Sequence, residues 1–362
     1  MIGYLFLVVL LFYLLMMLYY GMGIHKVNKI KLISKPPSIA FSIIISFRNE
    51  VKNLPALMQS LEQLSYPRDL FEVILVDDDS TDGYQLPITH FNLKVIPNQR
   101  ITSSPKKDAL TTGINAATFE WIITTDADCL FPNQWLEYWE VRVQKGDAEL
   151  ICGPVSYFNS NGFLSRFQQV ELWALQGVTM GSFGQSAPLM CNGAHMGYTK
   201  SFFHSLGGFE GNTQWAGGDD VFLLHKAVSQ SPKHVGYLFH PKALVLTHPA
   251  TTWKGLFQQR LRWAAKAKAY QNWKAITVAC LVFATNAIVI VSQILFFTSD
   301  WKWGLIPLVK VAVDDAMQRY MAARLQQKTS SAFWSGILYP WFSVGVALFA
   351  MLGKYQWKGR RY

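Results

Sequence analysis

The chain has 362 residues, a net charge of +10 and 51% apolar side chains. That length holds one large domain plus membrane elements, and the apolar share beside so basic a balance argues against a simple soluble enzyme. A basic chain seeks nucleic acid or an anionic membrane surface. No nucleic-acid fold signature is present and membrane-length apolar segments are, so the expected partner is the membrane and not nucleic acid.

Ile2 to Tyr20 is almost wholly apolar and long enough to cross a bilayer. No positive segment precedes it and no small-residue cleavage site follows, so it reads as an anchor over 1–22 and not as a cleaved signal peptide. His25, Lys26, Lys29, Lys31 and Lys35 come next, in a basic linker over 23–38 that ends at Pro36-Pro37. By the positive-inside rule the following domain is cytoplasmic. The four cysteines, Cys129, Cys152, Cys191 and Cys280, contain no CxxC pair. They indicate neither a disulfide framework nor a structural zinc site, and suit reduced thiols in a cytosolic domain.

From Ile39 to about residue 250 short apolar strands alternate with helical stretches. Strands are expected at Phe41 to Ser46, Phe71 to Val76, Leu93 to Ile96 and Trp121 to Thr125. Helices are expected at Lys52 to Gln63 and Lys106 to Ala117. This is the grammar of an α/β domain with a doubly wound parallel sheet. No GxGxxG follows the first strand, which sets aside the dinucleotide-binding version. Beyond Cys152 the pattern is less regular. Phe163 to Gly177 reads as an amphipathic helix, and loops rich in Gly, Asn and aromatics run over Cys191 to Gly197 and Gly207 to Gly218.

Trp253 to Lys274 mixes basic and aromatic residues at helical spacing. It lies in the membrane interface or packs on the preceding domain, or does both. Ala275 to Phe297 and Ala332 to Leu352 are further spanning candidates. Between them, Trp303 to Val313 is apolar but short and precedes Asp314 and Asp315. It is either an interfacial helix or a weak span whose acids face protein. The basic tail over 354–362 suits the cytoplasm, which favours an even number of crossings after the domain.

The chemistry gathers in five patches. Ser46-Phe47-Arg48-Asn49-Glu50 follows the first strand, and Asp77-Asp78-Asp79-Ser80-Thr81-Asp82 follows the second. Asp126-Ala127-Asp128 closes the strand that starts at Trp121. Two carboxylates spaced i and i+2 there can turn toward one point, and oxygen ligands suit a hard divalent cation that keeps its bond to phosphate. A solvated acidic turn is the alternative. Gly218-Asp219-Asp220 and Gln259-Arg260-Leu261-Arg262-Trp263 complete the set.

With these motifs in this order, the stretch from Ile39 to Trp263 resembles a family 2, inverting, GT-A-type glycosyltransferase of the membrane-anchored kind. Cellulose, hyaluronan and poly-N-acetylglucosamine synthases and ceramide glucosyltransferases are its relatives. The resemblance implies a mixed, mostly parallel sheet with helices on both faces, plus N- and C-terminal transmembrane helices. It implies that Glu50 and the backbone near Phe47 line the nucleotide site, that Asp78 binds the uridine or its ribose, and that Lys106 approaches the nucleotide. Asp126 and Asp128 would hold the diphosphate through Mg²⁺ or Mn²⁺, and a histidine at the position of His248 completes the metal site in some relatives; otherwise His248 packs or is solvated. Asp220 matches the base that deprotonates the acceptor, with Asp219 beside it as the rival. Gln259, Arg262 and Trp263 match the residues that cover the diphosphate and the acceptor end. Asn192-Gly193 resembles the acceptor-site loop, with Cys191 a buried thiol beside it. Two positions depart from the pattern: Asp79 stands where glycine is usual, and Asp219 where glutamate is commoner. Arg262 has a purely structural alternative, Trp263 a membrane-anchor one, and Arg260 reads as a lipid-headgroup or surface contact.

The expected activity is transfer of a sugar from a nucleotide sugar, a UDP-sugar by preference, to a lipid or glycan acceptor in cell-envelope synthesis. A processive polysaccharide synthase is the alternative within the class. A catalytically inactive, nucleotide-binding scaffold is the alternative outside it.

Overall fold

A computed structural model describes residues 2–32, 35–158, 161–215, 217–329, 331–352, 356–357 and 360–361. The expected basic tail, with Lys354 and Lys358, lies largely outside them. In chain order the elements are α1 (Ile2–Lys26), β1 (Phe41–Phe47), α2 (Leu54–Glu62), β2 (Phe71–Asp77), β3 (Asn92–Pro97), α3 (Pro105–Ala116), β4 (Trp121–Asp126) and α4 (Trp135–Val143). Then come β5 (Leu150–Cys152), β6 (Val155–Tyr157), α5 (Phe163–Gly184), β7 (Met196–Thr199), α6 (Lys200–Ser205), α7 (Asp219–Gln230), β8 (Val235–Tyr237) and β9 (Val245–Thr247). α8 (Trp253–Ala265), α9 (Trp273–Thr298), α10 (Leu305–Arg324) and α11 (Phe333–Met351) follow, and a two-stranded antiparallel ladder pairs Gln356–Trp357 with Arg360–Arg361. Two compact units result. An α/β unit comprises Val27–Phe158 and Ser186–His248, and a helical unit Met1–Lys26, Asn159–Gln185 and Pro249–Tyr362.

In the α/β unit seven strands form one sheet in the order β3-β2-β1-β4-β7-β5-β8. The pairs β3–β2, β2–β1, β1–β4 and β5–β8 are parallel, and β7 runs antiparallel to both its neighbours. The near-continuous apolar runs are what a sheet covered on both faces requires. Ile43, Ile45, Val73 and Leu75 join Leu54 and Leu57 of α2 and Trp135 of α4 in one buried cluster. Residues of the other parity face α3. There a Cβ on Gly113 would come 2.4 Å from Ile44 Cγ2, so glycine is what lets the helix lie this close.

The register decides where chemistry can happen. Phe47 pairs with Asp77, and Ser46 with Asp126. Three of the motif-bearing loops therefore leave the same edge of three adjacent parallel strands, the place where open α/β sheets bind ligands.

Among the described residues of the helical unit, three helices are long and apolar enough to cross a membrane: Gly3–Lys26, Trp273–Thr298 and Phe333–Met351. α10 is not among them, because Lys310, Asp314, Asp315 and Arg319 interrupt it. Its buried Lys310 pairs with Asp314 at 2.6 Å, and the Tyr13 hydroxyl of α1 donates to the same carboxylate. The basic stretch from Trp253 to Lys274 is not one helix. It tightens into a 3-10 turn over Lys266–Ala269, and Asn272 then caps α9 by accepting from Lys274 N (3.0 Å) and Ala275 N (3.3 Å).

Candidate active site

The loops after β1 and β2 are laced together by backbone donors and short polar side chains. Asn49 N donates to Ser80 Oγ at 3.0 Å, Thr81 N to Asn49 Oδ1 at 2.8 Å, and Val51 N to Asp82 Oδ2 at 2.7 Å. Asp77 accepts from Ser80 N at 2.9 Å and from the Tyr84 hydroxyl at 3.2 Å. Asp77 and Asp82 thus hold the loop. Asp78, buried, is the acid left to act inward. Its Oδ1 accepts from Arg100 Nε at 2.6 Å and Asn98 Nδ2 at 2.7 Å, and Arg48 stands 3.7 Å from Oδ2. Asp79 takes the left-handed φ of 55° that glycine adopts freely, and pairs with Arg100 at 2.5 Å. The third acid in this turn is therefore neutralised by the guanidinium that holds Asp78. Phe47 contributes its carbonyl, which accepts from Asp78 N at 2.9 Å. Glu50 accepts from Asn53 Nδ2 at 2.6 Å.

Lys106, in the first turn of α3, is the hub. Its Nζ lies 2.7 Å from Asp126 Oδ1 and 3.2 Å from Asp219 Oδ2. Burial works to lower the ammonium's pKa. The carboxylates of Asp126 and Asp219 outweigh it and hold the group protonated above the ordinary lysine range. One cation thus joins the end of β4 to the start of α7.

α7 begins at Gly218 in the left-handed region (φ 79°), which brings Asp219 and Asp220 into its first turn, where the helix dipole favours negative charge. Asp220 Oδ2 accepts from Gly193 N at 3.2 Å. The neighbouring Asn192 Oδ1 accepts from Ala194 N at 3.0 Å, and Thr125 Oγ1 donates to Ala194 O at 2.8 Å. The Asn192-Gly193 loop is thereby seated between β4 and the two acids. A Cβ on Gly193 would press on Asp219 Oδ2 at 3.2 Å and Asp220 Cβ at 3.3 Å.

Among the described residues no three His, Cys, Asp or Glu side chains are grouped to hold a metal ion. Asp126 and Asp128 form a two-carboxylate set. Burial, then Asp126 and Glu50, push the Asp128 carboxyl above its usual range, a build-up of negative charge that a divalent cation would relieve. The pair fits an oxygen-bound ion that completes its shell with phosphate and water. The His248 ring packs against Phe158, centroids 4.6 Å apart.

Residues 42–207 match the family model described as Glycosyl transferase family 2. That stretch, a little under half of the chain, is similar to the glycosyl transferase family 2 domain. The "Probable glycosyltransferase YdaM" of Bacillus subtilis (strain 168) is 25% identical over 235 residues, 62% of this chain and 54% of that protein. The "Poly-beta-1,6-N-acetyl-D-glucosamine synthase" of Staphylococcus epidermidis is 23% identical over 233 residues, 62% and 53% of the two chains. The chain thus spans about half the length of the curated relatives it matches. The solved mannosyltransferase PcManGT of Pyrobaculum calidifontis, in complex with GDP-Man and Mn²⁺, has the same fold, with a TM-score of 0.58 at 18% identity over 93% of this chain and 94% of that one.

Within and just beyond the matched stretch, several residues at the site are not among those the sequence singles out. Arg100 and Asn98 grip Asp78. Lys107, fully buried, donates to Asn212 O at 2.5 Å and Trp215 O at 3.1 Å, with Phe222 under its ammonium at 5.2 Å, and so tethers the loop that leads into Asp219. Thr247, at the end of β9, donates its hydroxyl to Asp128. The signal for Arg100 lies in the sequence all the same: three successive carboxylates demand a nearby cation. Gln259, Arg262 and Trp263 belong to α8 of the helical unit. Arg260 between them overturns one expectation. It is not a surface or headgroup contact but is buried against Glu171 of α5, because a guanidinium leaving water needs a carboxylate to receive it.

Proposed function

We propose that the chain is an inverting glycosyltransferase that takes a sugar from a nucleotide sugar, a UDP-sugar in the first instance, and places it on a lipid or glycan acceptor of the cell envelope. The observation that carries this reading is the Lys106 bridge. It joins the paired carboxylates Asp126 and Asp128 to the helix start that bears Asp219 and Asp220. Asp126 and Asp128 would hold Mg²⁺ or Mn²⁺, and the ion would neutralise the departing diphosphate, which is often the largest single contribution to such catalysis. The structure of the Pyrobaculum mannosyltransferase contains Mn²⁺ beside GDP-Man, which supports this.

Asp219 is engaged by Lys106, so Asp220 is assigned as the base. Taking the acceptor's proton on the face opposite the leaving group makes the hydroxyl a competent nucleophile, worth roughly 10²–10⁴-fold, and inverts the anomeric carbon. Asp78 is assigned to the base or ribose of the nucleotide, with Phe47 and Glu50 lining the same site. Asn192 and Gly193 are assigned to the acceptor side. Gln259, Arg262 and Trp263 are assigned to the diphosphate and acceptor end by their match to the family motif. His248 is assigned as the third protein ligand of the ion, after Asp126 and Asp128. The lysines from Lys26 to Lys35 support a cytoplasmic catalytic domain in an integral membrane protein.

A second reading, a processive polysaccharide synthase, is favoured by the name of the Staphylococcus epidermidis relative. One experiment addresses both. Membranes containing the full chain are offered a panel of nucleotide sugars with Mg²⁺, with Mn²⁺ and with EDTA. Nucleotide release with one donor, lost in EDTA, and a single-sugar lipid as product are expected. Long polymer would favour the synthase. Equal release in EDTA would remove the metal, and no release with any donor would remove the activity.

A further inference from the structure

Arg260 sits inside the α8 motif at a position the assignments above leave without a role. Its side chain is 5% exposed and that of Glu171 is similarly buried. Nε lies 2.9 Å from each Glu171 oxygen, and a terminal nitrogen lies 2.6 Å from Oε2. The other terminal nitrogen donates to Gln259 Oε1. The guanidinium plane also lies over the Trp263 indole, with Cζ 4.1 Å from the ring centroid.

One planar group therefore touches the residue before it and the residue three after it while a carboxylate from another helix grips it. Gln259 and Trp263 are four residues apart and so already share one face of the helix; the guanidinium ties both of their side chains to Glu171 of α5. Arginine suits the task because its donors form a rigid fork and its face stacks on aromatic rings; an ammonium offers neither plane nor fork. Glu171 makes the burial tolerable, since a buried guanidinium without a carboxylate is strongly unfavourable. The pair is charge-balanced, so it acts on its neighbours and not on an incoming anion.

We propose that Arg260, clamped by Glu171, is the positioning residue that fixes the side chains of Gln259 and Trp263. Its consequence for turnover rests on the proposed function, but the clamp itself has a readout that does not.

The test uses the full chain in lipid nanodiscs with 5-fluorotryptophan in place of its 13 tryptophans. The Trp263 fluorine resonance is identified by its loss in Trp263→Phe. Two variants are compared with the wild type. Arg260→Lys keeps a cation opposite Glu171 but removes the plane and the fork. The double variant Glu171→Gln/Arg260→Gln removes both charges together and leaves no orphan ion, which keeps a folded protein available. Both are expected to shift the Trp263 resonance with the other resonances little changed, and to lower kcat about tenfold per folded molecule, because small misplacements near a reacting group are costly. The kcat loss from Arg260→Lys should vanish in a Gln259→Ala/Trp263→Phe background, since the residues then act as one unit. An unmoved Trp263 resonance in both variants would overturn the clamp, as would a kcat loss undiminished in that background. A shifted resonance in a protein whose wild type uses no donor would uphold the clamp and count against the function instead.

Discussion

His195 is closed inside the α/β unit between β7 and α4. Its Nδ1 faces Pro154 O at 2.9 Å and its Nε2 faces Trp135 Nε1 at 3.1 Å. A carbonyl can only accept, so Nδ1 carries the proton and Nε2 accepts from the indole. Burial pushes the imidazole down to about 4. An unfolded histidine titrates near 6.5, so between those values the unfolded chain binds a proton that the folded chain refuses. Stability is then complete above about pH 6.5 and falls as the pH drops toward 4, by roughly 3 kcal/mol from this group. Thermal unfolding between pH 7 and 4.5 should show a steep loss in the wild type and a shallower one in His195→Gln; equal slopes would contradict the assignment. The sequence contains His195 but nothing that reveals it as buried. Thr247 is equally silent, its partner Asp128 lying well over a hundred residues earlier, whereas the run of three carboxylates announces a cation for Asp78 without saying that it is Arg100, 22 residues on. Asp126, Asp128, Asp219 and Asp220 were readable because their chemistry shows as local spacing. Their tertiary partners leave no local trace.

Elements were legible where periodicity was uninterrupted. β1 to β4, α2 and α3 fall within two residues of their expected ends, because buried strands leave long apolar runs and caps are local. The misreadings have one cause. α5 was expected to stop at Gly177, yet it runs to Gly184. Gly177, Gly181 and Gly184 look like breakers in a single chain. Gly181 and Gly184 are contact points between α1 and α5: a Cβ on Gly181 would lie 2.4 Å from Tyr20 O and one on Gly184 1.9 Å from Gly23 O, while a Cβ on Gly177 would meet Met317 Sδ of α10 at 3.0 Å. Small residues that let backbones meet are how helices associate in lipid. Gly181→Leu is expected to lower the unfolding temperature in detergent, with a cost of about 1–3 kcal/mol for overpacking. Gly345→Ala, which meets nothing within 4 Å, should leave it unchanged. Equal midpoints for the two would refute the close packing. The break after Ala265 leaves no mark in the sequence, because Asn272, a polar residue in a basic run, signals a cap only once the turn before it is known.

For the molecule as a whole, the sequence carried the order of motifs, and the sheet explains why that order matters. Parallel strands in register bring the loops after β1, β2 and β4 to one edge. The family resemblance implies that the sheet is mixed, but β7 itself leaves no mark of its own, because its four residues (Met196–Thr199) are too few for a period. Among the described residues three helices are long and apolar enough to cross a membrane, and the lysines after α1 are the basis for proposing a cytoplasmic linker. A cysteine at Lys29 is therefore expected to react with a membrane-impermeant reagent in inside-out vesicles and not in intact cells. Labelling from outside would reverse the topology. The central claim is that Asp220 takes the acceptor's proton while Asp219 is held by Lys106. It is tested most directly by steady-state kinetics of Asp220→Asn and Asp219→Asn in nanodiscs, with calorimetry of UDP binding in Mn²⁺. Asp220→Asn keeps the shape and loses the proton acceptor, so the account predicts a kcat lower by roughly 10²-fold or more with UDP affinity nearly intact, and a smaller kcat loss in Asp219→Asn. An Asp219→Asn enzyme without turnover beside an active Asp220→Asn enzyme would contradict it.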